Sequence, residues 1–317
     1  MTTQSLTIAV SSRALFHMED GNAIWESKGQ DAYNQYMREK ENVPLRPGTA
    51  FPLVRKLLAL NKDPQNPLIN VVVTSRTSPD AGVRIFKSIQ HYNLPIHQAS
   101  FSQGSDRFRY ISAMKAQLFL SGNAQDVHKA ISNGIAAATI TPKESTNDND
   151  PTVKIAFDGD SVLFGSEADD AYRALGLEHF INHELKHKDK PLEGGPFKDF
   201  VMALRGVQQA YPNGDCPLKL GLVTARGIQS HERVFTTLRS WGIALDEVIF
   251  CAGTPKGPLL QAFGADIFFD DTQSNLNSAL DHDIASGHVP FGHGGIQANK
   301  PKPTTDVPPL GNDFGLG

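Results

Sequence analysis

The chain has 317 residues, of which 39% are hydrophobic and 20% are charged. These values are ordinary for a globular protein with one large domain or two of average size. The net charge of -4 argues against a broad basic surface, so we expect neither nucleic acid nor an anionic membrane as a partner. The two cysteines lack a metal-type spacing, and no signal peptide or long apolar run is recognisable. These features predict a cytoplasmic protein.

Short apolar runs alternate with helical patterns along the chain, and the same series occurs twice. The first series of predicted strands is Leu6–Val10, Val71–Thr74, Ile96–Phe101 and Gln117–Leu120, with a helical insert at about 25–60. The second series is Val153–Phe157, Leu220–Thr224, Val248–Cys251 and Asp266–Phe269, with an insert at about 168–210. This alternation predicts an α/β fold with parallel strands in βαβ units. The continuous apolar runs are typical of strands buried on both faces.

The two series also match each other in sequence. Arg84–Asn123 aligns without a gap with Arg233–Thr272, and the apolar, aromatic and glycine positions stay in register. We interpret this match as a duplication that produces two Rossmann-like halves, each with a small helical cap insert.

The domain boundaries follow from this comparison. We predict a first half over 1–140, a linker over 141–152, a second half over 153–291 and a tail over 292–317. The linker is polar and bounded by prolines. The tail is rich in Gly, Pro and polar residues and has little to bury, so we expect it to be flexible. The insert at about 168–210 is the predicted cap of the second half.

The second half carries reactive residue types at the ends of successive predicted elements. In chain order they are Asp158, Asp160, Thr224, Lys256, Asp270 and Asp271. Ligands of doubly wound sheets bind outside the carboxyl ends of the strands. The topology therefore predicts that these residues meet at one edge of the sheet.

This set of residue types suits the transfer of a phosphoryl group. Mg²⁺ held by Asp158 and Asp270 would neutralise the repulsion between a carboxylate nucleophile and a phosphate monoester. Asp158 could then attack phosphorus and form an acyl phosphate. Asp160, two residues further on, could protonate the leaving oxygen and later activate water. Thr224 and Lys256 would hold the phosphoryl oxygens.

Each of these residues also has an ordinary structural explanation. Asp-x-Asp pairs are common in loops, a threonine is a common strand residue, and Asp270-Asp271 could cap a helix. The signal lies in the order of the whole set along the chain. Response-regulator receiver domains use similar residue types, but there the acidic pair comes first, whereas here it comes last.

The ordered set resembles the motifs of the haloacid dehalogenase superfamily. Beyond these motifs, the chain from about residue 6 to 292 resembles the cytosolic type I 5′-nucleotidase family, in stretches such as PGTAFPLVRKLLALN, VVVTSRTSPDAGVRIFKSI, IAFDGDSVLF, GLVTARG and FFDDTQSN. The resemblance implies Mg²⁺-dependent hydrolysis of nucleoside 5′-monophosphates. It implies that Asp158 is the nucleophile, Asp160 the acid and base, and Thr224 and Lys256 the phosphate ligands. The predicted metal-site residues are Asp158, Asp160, Asp270 and Asp271.

Two other functions remain open from the sequence. The enzyme could act on another small phosphomonoester such as a sugar phosphate, or the chain could be a nucleotide-binding regulatory protein with vestigial hydrolysis. The sequence does not identify the base or the sugar, and it leaves the oligomeric state open, including a homo-oligomer. The aromatic residues Phe164, Phe180 and Phe197 of the second half could stack on a base, but core packing is the simpler expectation for each.

The first half lacks the carboxylates of the second. Ser11-Ser12-Arg13 stands in place of Asp158-Gly159-Asp160, and Ser121-Gly122 in place of Asp270-Asp271. Thr74 and Arg107 match the remaining pair, Thr224 and Lys256, so affinity for phosphate is one interpretation. A purely structural half is the other, and it is the interpretation that the sequence favours.

Three arginines lie near the ends of predicted strands, namely Arg13, Arg76 and Arg226. Each is a predicted substrate-binding residue, because a guanidinium can bind phosphate with two hydrogen bonds. Each could equally pair with a local carboxylate. His183 and His187 flank Glu184 but miss the spacing of a zinc motif by one residue, so we expect them on a helix surface.

Overall fold

The computed structural model describes residues 5–144, 150–211 and 214–292. Within the predicted linker, residues 145–149 lie outside the described residues. The predicted flexible tail lies outside them as well from residue 293 onward. None of the helices described in these ranges is long and apolar enough to cross a membrane.

Ten strands form one continuous sheet, and this confirms the predicted α/β class. The first half contributes β1 (Leu6–Ser11), β4 (Ile69–Ser75), β5 (Gln98–Phe101), β6 (Leu118–Ser121) and β7 (Ala136–Ile140). The second half contributes β8 (Val153–Phe157), β9 (Leu218–Thr224), β10 (Glu247–Phe250), β11 (Ile267–Asp270) and β12 (Ala285–His288). A separate antiparallel ribbon pairs β2 (Phe16–His17) with β3 (Arg46–Pro47).

The helices follow the strands as the sequence pattern predicts. In the first half they are α1 (Ser12–Leu15), α2 (Glu19–Glu39), α3 (Phe51–Ala59), α4 (Gly82–His91), α5 (Phe108–Ala113) and α6 (Ala124–Ser132). In the second half they are α7 (Glu167–Lys186), α8 (Lys198–Gln209), α9 (His231–Ser240), α10 (Gly257–Phe263) and α11 (Gln273–Leu280). The predicted cap insert therefore consists of α7, α8 and the segment between them. Gly29 and Gly176, both at positive φ, break the helical geometry inside α2 and α7.

The strand order repeats from each outer edge toward the centre. It is β5-β4-β1-β6-β7 on one side and β10-β9-β8-β11-β12 on the other. Within each half, all pairs of the ten-stranded sheet are parallel, as the continuous apolar runs predict. This equivalence agrees with a duplication. The exact domain boundaries stay a prediction.

The two halves meet through an antiparallel pair, which the sequence analysis did not foresee. At this joint Gly287 pairs with Ile140, and His288 pairs with Thr139. A Cβ atom on Gly287 would lie 2.7 Å from the Phe269 ring and 2.9 Å from the Ala138 side chain, so the close approach here requires a glycine. Because the joint is antiparallel, the carboxyl ends of the strands in the two halves lie at opposite edges of the sheet.

The halves also share one hydrophobic core, which is built from buried side chains of both. Helix α3 packs against β8, and helix α8 packs against β1, so each half contributes a helix to the other half's strands. A buried ion pair crosses the boundary, in which Lys56 Nζ lies 2.6 Å from Asp266 Oδ1. Tyr211 Oη donates to the carbonyl of Leu60 at 2.6 Å. Apolar and polar contacts together thus join the two halves.

Candidate active site

The loop after β8 presents Asp158 at the carboxyl edge of the second half. Asp158 is 7% exposed, and its backbone N–H donates to the carbonyl of Phe269 at 2.8 Å, which ties it to the neighbouring strand β11. Its Oδ1 accepts a hydrogen bond from the N–H of Gly159 at 2.7 Å. The loop then closes on itself, because the N–H of Phe164 donates to the carbonyl of Gly159 at 2.8 Å.

Gly159 allows this loop to lie close to the end of β9. A Cβ atom at this position would lie 3.0 Å from Thr224 Oγ1 and 3.3 Å from the Phe164 ring. Thr224 is fully buried at the end of β9, and its Oγ1 accepts a hydrogen bond from the N–H of Arg226 at 3.3 Å. Within the loop, Ser161 adopts a φ of 63°, a left-handed conformation that is uncommon for a serine.

Lys256, directly before α10, connects two of the acidic residues. Its Nζ lies 2.7 Å from Asp158 Oδ1 and 2.7 Å from Asp270 Oδ2, and the side chain is almost fully buried. Burial disfavours the charged ammonium, but the carboxylates of Asp158 and Asp270 outweigh this effect and raise the pKa of Lys256. Lys256 is therefore a permanent positive charge between the ends of β8 and β11.

Asp270 ends β11 and is fully buried. Its Oδ1 accepts a hydrogen bond from the N–H of Thr272 at 2.7 Å, and Asn275 Nδ2 lies 3.1 Å from Oδ2. Burial and the neighbouring Asp270 carboxylate raise the pKa of Asp158, against the opposing effect of Lys256. Hydrogen-bond donors thus hold Asp270 in place. Asp158 is the carboxylate whose charged form is disfavoured by burial and by the charge of Asp270.

Three carboxylates form a compact cluster at this edge. Oxygens of Asp158, Asp270 and Asp271 all lie within 4.8 Å of one another. Among the described residues this is the one group of at least three His, Cys, Asp or Glu side chains with the spacing of a metal site. It consists of hard oxygen donors, and Lys256 alone does not balance its charge, so it fits a small divalent cation such as Mg²⁺.

Asp160 is not a member of this cluster. Its two carboxylate oxygens accept hydrogen bonds from Nε and Nη2 of Arg226, at 2.8 and 2.7 Å. Both side-chain oxygens of Asp160 are thus paired with Arg226, and the predicted role of Asp160 at the metal site stays a prediction. Arg226 pairs with two local carboxylates, Asp160 and Glu184. Local pairing was the alternative to substrate binding that the sequence left open for this arginine.

The Arg226 guanidinium also links Asp160 to the cap insert. Its Nη1 pairs with Glu184 of α7, and Arg233 Nη1 of α9 donates to the other oxygen of Glu184 at 2.7 Å. Burial opposes the charge of Arg226, but Asp160 and Glu184 more than compensate and raise its pKa. Burial likewise opposes the charge of Glu184, and the two arginines overcome it and lower the pKa of Glu184. A network of ion pairs thus connects the cap helix α7 to Asp160 through Glu184 and Arg226.

Sequence reasoning missed Glu184 and Arg233 as members of this network. In the sequence Glu184 stands out only as the residue between His183 and His187, whose spacing does not fit a zinc motif. In the structure His183 Nδ1 lies 3.4 Å from Glu184 Oε1. The position of Glu184 depends on how α7 packs against α9 and the turn at Ile228–Ser230, which no local pattern encodes. Asn275 was also missed, although it ends the quoted stretch FFDDTQSN.

The structure does not bring Arg13 and Arg76 to this site. Both follow strands of the first half, whose carboxyl ends lie at the opposite edge of the sheet. Arg13 pairs with Glu19 at 2.8 Å, and Arg76 pairs with Asp126. Their prediction as ligands of the same substrate as Asp158 is therefore corrected, because the antiparallel joint separates the two edges.

The three phenylalanines considered for base stacking are buried, as core packing predicts. Phe197 packs against Phe269 with ring centroids 4.8 Å apart. Phe164 and Phe180 lie beside the Arg226 guanidinium, at 5.9 and 5.4 Å from ring centroid to Cζ. They form an apolar wall around the Arg226 charge and do not present an open face.

Comparison with known proteins identifies the family. A family model described as 5′-nucleotidase matches residues 1–295. The chain is also 37% identical over 290 residues to human cytosolic 5′-nucleotidase 1B, a match that covers 87% of this chain. It covers 47% of the human protein, so the chain spans about half the length of this relative. On the extent of the family match and the similarity to this relative, the chain belongs to the 5′-nucleotidase family.

Proposed function

We propose that this protein is a phosphatase that hydrolyses nucleoside 5′-monophosphates to nucleoside and phosphate through a phosphorylated Asp158. The observation that carries the proposal is the position of Lys256, 2.7 Å from both Asp158 and Asp270 at the carboxyl edge of the second half. Membership of the 5′-nucleotidase family and the name of the human relative support this substrate class. That relative is named as cytosolic, and we propose the same compartment here.

In the first step Asp158 attacks the phosphorus of the substrate. A bond forms between an Asp158 oxygen and phosphorus, and the bond from phosphorus to the 5′-oxygen breaks. Asp160, in its protonated form, donates a proton to that oxygen, so that a neutral nucleoside leaves. Lys256 and the hydroxyl of Thr224 bind the phosphoryl oxygens as negative charge moves onto the leaving group.

In the second step water attacks the phosphorus of the acyl phosphate. Asp160, now a carboxylate, accepts the proton of the water, and the bond between phosphorus and the Asp158 oxygen breaks. Inorganic phosphate leaves, Asp158 is regenerated as a carboxylate, and Asp160 is protonated again. The pairing of Asp160 with Arg226 holds the carboxylate two residues from the nucleophile between these steps.

The carboxylates of Asp158, Asp270 and Asp271 would hold Mg²⁺. When bound, the ion would supply positive charge that allows a carboxylate to approach a phosphate dianion. Asp270 is already positioned for this role by its bonds from Thr272 and Asn275.

A phosphate-release assay on the purified chain tests the proposal. The panel contains nucleoside 5′-monophosphates, nucleoside 3′-monophosphates and sugar phosphates, and we expect release from the 5′-monophosphates at the highest kcat/KM. A preference for sugar phosphates would replace the substrate class but keep the mechanism. Binding of nucleotides without release from any of these compounds would favour a regulatory protein and contradict the proposal.

The variant Asp158→Asn tests the mechanism. The amide is nearly isosteric with the carboxylate but is a poor nucleophile, so we expect a loss of kcat of about a thousandfold or more. The fold should stay intact, and circular dichroism and thermal unfolding check this point. Activity within about tenfold of the unmodified chain would rule out Asp158 as the nucleophile.

A further inference from the structure

The first half has a cavity of about 250 Å³ at its own carboxyl edge. It lies where the ends of β1, β4 and β6 meet, the position that corresponds to the active site of the second half. Among the described residues that line it, three are arginines and none carries a carboxylate. These arginines are Arg13, Arg76 and Arg107. The cavity is therefore positively charged, whereas the equivalent region of the second half is acidic.

Arg107 occupies the position that Lys256 has in the other half. Its side chain is buried, Nη1 donates to the carbonyl of Thr74 at 3.1 Å, and Nη2 donates to Ser121 Oγ at 2.9 Å. Two buried polar atoms, Arg107 Nε and Thr74 Oγ1, have no hydrogen-bond partner among the described residues. A buried guanidinium N–H and a buried hydroxyl that lack partners are costly unless something else binds there.

The arginines of the cavity outnumber the carboxylates that pair with them. Arg76 and Arg107 share a single carboxylate, that of Asp126, while Arg13 pairs with Glu19. Three positive charges thus face two negative ones, and both carboxylates lie outside the cavity lining. The surplus charge is available to an anion, which would also reach the flat guanidinium groups of Arg13 and Arg76 from the cavity side.

Hydroxyl groups and aromatic rings complete the lining. Ser12 Oγ lies 2.8 Å from Ser75 Oγ, which in turn lies 2.8 Å from Thr77 Oγ1, so three hydroxyls adjoin one another. Trp25 is 39% exposed and meets the buried Tyr33 edge-on, with ring centroids 5.7 Å apart. Hydroxyls and arginines suit phosphate oxygens, and an exposed indole face suits a planar ring.

We propose that the first half binds a phosphate-bearing small molecule and does not hydrolyse it. The site uses Arg107 where the second half uses Lys256, and this comparison rests on the phosphate role proposed for Lys256. Hydrolysis by the same route is absent because Ser11 and Ser121 replace the nucleophile and a metal-site carboxylate. The site lies at the opposite edge of the sheet from Asp158, so it can be filled independently.

The intrinsic fluorescence of Trp25 provides a direct test in the full chain. The chain has two tryptophans, so the variant Trp241→Phe leaves Trp25 as the single reporter. The probes are inorganic phosphate, a nucleoside 5′-methylenephosphonate, whose carbon–phosphorus bond resists hydrolysis, and a nucleoside without phosphate. We expect a saturable change with the phosphonate, a weaker one with phosphate and none with the nucleoside.

A matched pair of substitutions at Gly122 then tests where the probe binds. Gly122 lines the cavity, and a Cβ atom there would meet Pro142 at 3.4 Å and Arg13 at 3.7 Å, which are ordinary contact distances. Gly122→Asp places a negative charge beside the anion and should weaken phosphonate binding by about tenfold or more. Gly122→Asn has nearly the same shape without the charge and should stay within about threefold of the parent.

A second pair of substitutions distinguishes loss of binding from loss of folding. Arg76→Gln removes a cavity charge and should weaken binding, whereas Arg38→Gln removes an exposed arginine of another ion pair and should not. Thermal unfolding of every variant checks the fold.

Three results would overturn the proposal. They are equal binding by Gly122→Asp and Gly122→Asn, an equal response to the nucleoside without phosphate, and loss of the response in Asp158→Asn. The last result would assign the signal to the catalytic half. None of these measurements needs turnover, so failure here is distinguishable from failure of the proposed hydrolysis.

Discussion

The acidic cluster at the end of β8 and β11 concentrates three carboxylates around a single lysine. Because Asp158, Asp270 and Asp271 have oxygens within 4.8 Å of one another, a divalent cation should both stabilise and activate the site. We expect metal-stripped protein to lose activity by about a hundredfold or more and to regain it with Mg²⁺. Mg²⁺ should also raise the melting temperature, because it binds the folded cluster only. Full activity after treatment with EDTA would contradict a metal-dependent mechanism.

Glu184 is a positioning residue, because it reaches Asp160 only through Arg226. Glu184→Gln keeps the shape but removes the charge that Arg226 and Arg233 share, so we expect a stability loss of about 1–3 kcal/mol. If the network also orients Asp160, kcat should fall more than KM changes. The matched control is Glu232→Gln, which removes an exposed partner of Lys188 and should be neutral. A melting temperature and kcat equal to those of the parent would show that the network does not matter.

The same residue predicts how stability depends on pH. The folded state lowers the pKa of Glu184, so its contribution to stability is present above the ordinary pKa of about 4.3 and is lost as the pH falls below it. Acidification through this range should therefore lower the melting temperature of the parent more than that of Glu184→Gln. Parallel curves for the two proteins would contradict this assignment.

At this scale the sequence predicted the members of the cluster but not the partners that hold them. Asp158, Lys256 and Asp270 follow or precede predicted elements, so a topological rule places them together. Glu184 comes from the cap helix α7 and meets Arg226 only after α7 packs against α9 and the turn at Ile228–Ser230. Such contacts depend on tertiary packing, which the spacing of residues along the chain does not encode.

At the scale of elements, the tight loop after β8 depends on a glycine. Gly159→Ala would place a Cβ atom 3.0 Å from Thr224 Oγ1, so either the loop or the threonine must shift. We expect a stability loss of about 1–2 kcal/mol and a clear drop in kcat, because Asp158 precedes the loop. The matched control is Gly206→Ala in α8, which has open space and should be neutral or slightly stabilising. Equal kcat for the two variants would contradict a role of the close approach.

Several strands that the sequence predicted contain β-branched or aromatic runs, such as VVV in β4 and IFF in β11. Of the ten strands in the main sheet it missed β7 and β12, which have the sequences AAATI and ASGH, and alanine and glycine favour strands weakly. Their pairing is set by the close approach at Gly287 and not by local propensity. Because these are the strands that join the halves, missing them also hid the single sheet.

At the scale of the molecule, the antiparallel joint separates two edges that carry opposite charge. The carboxyl edge of the second half holds the acidic cluster, and that of the first half holds the arginine-lined cavity. The sequence predicted two similar halves but could not orient them, since either orientation satisfies the same βαβ pattern. The sequence predicted Arg13 and Arg76 as substrate-binding residues at strand ends, but it could not show that these ends lie at the other edge from Asp158.

The joint also predicts that the second half does not function alone. In a fragment of residues 151–317, β12 would lose its partner β7 and become an exposed edge strand, and β8 would lose its contact with α3. Asp266 would lose its buried partner Lys56. Each ~100 Å² of apolar surface that becomes exposed costs about 2.5 kcal/mol, whereas typical domains are stable by about 5–15 kcal/mol in total. We therefore expect the fragment to be poorly soluble or inactive, although it contains every proposed catalytic residue.

Co-expression of residues 1–150 with residues 151–317 provides the control for this prediction. If the loss arises from the missing interface and not from the chain break, the two fragments should associate and recover phosphate release. Solubility, thermal unfolding and activity of the single fragment, the pair and the full chain make the comparison. A soluble single fragment that melts cooperatively and has the activity of the full chain would show that the joint is dispensable. The two halves would then be independently stable units, and the interface would not explain why the chain contains a first half without the catalytic carboxylates.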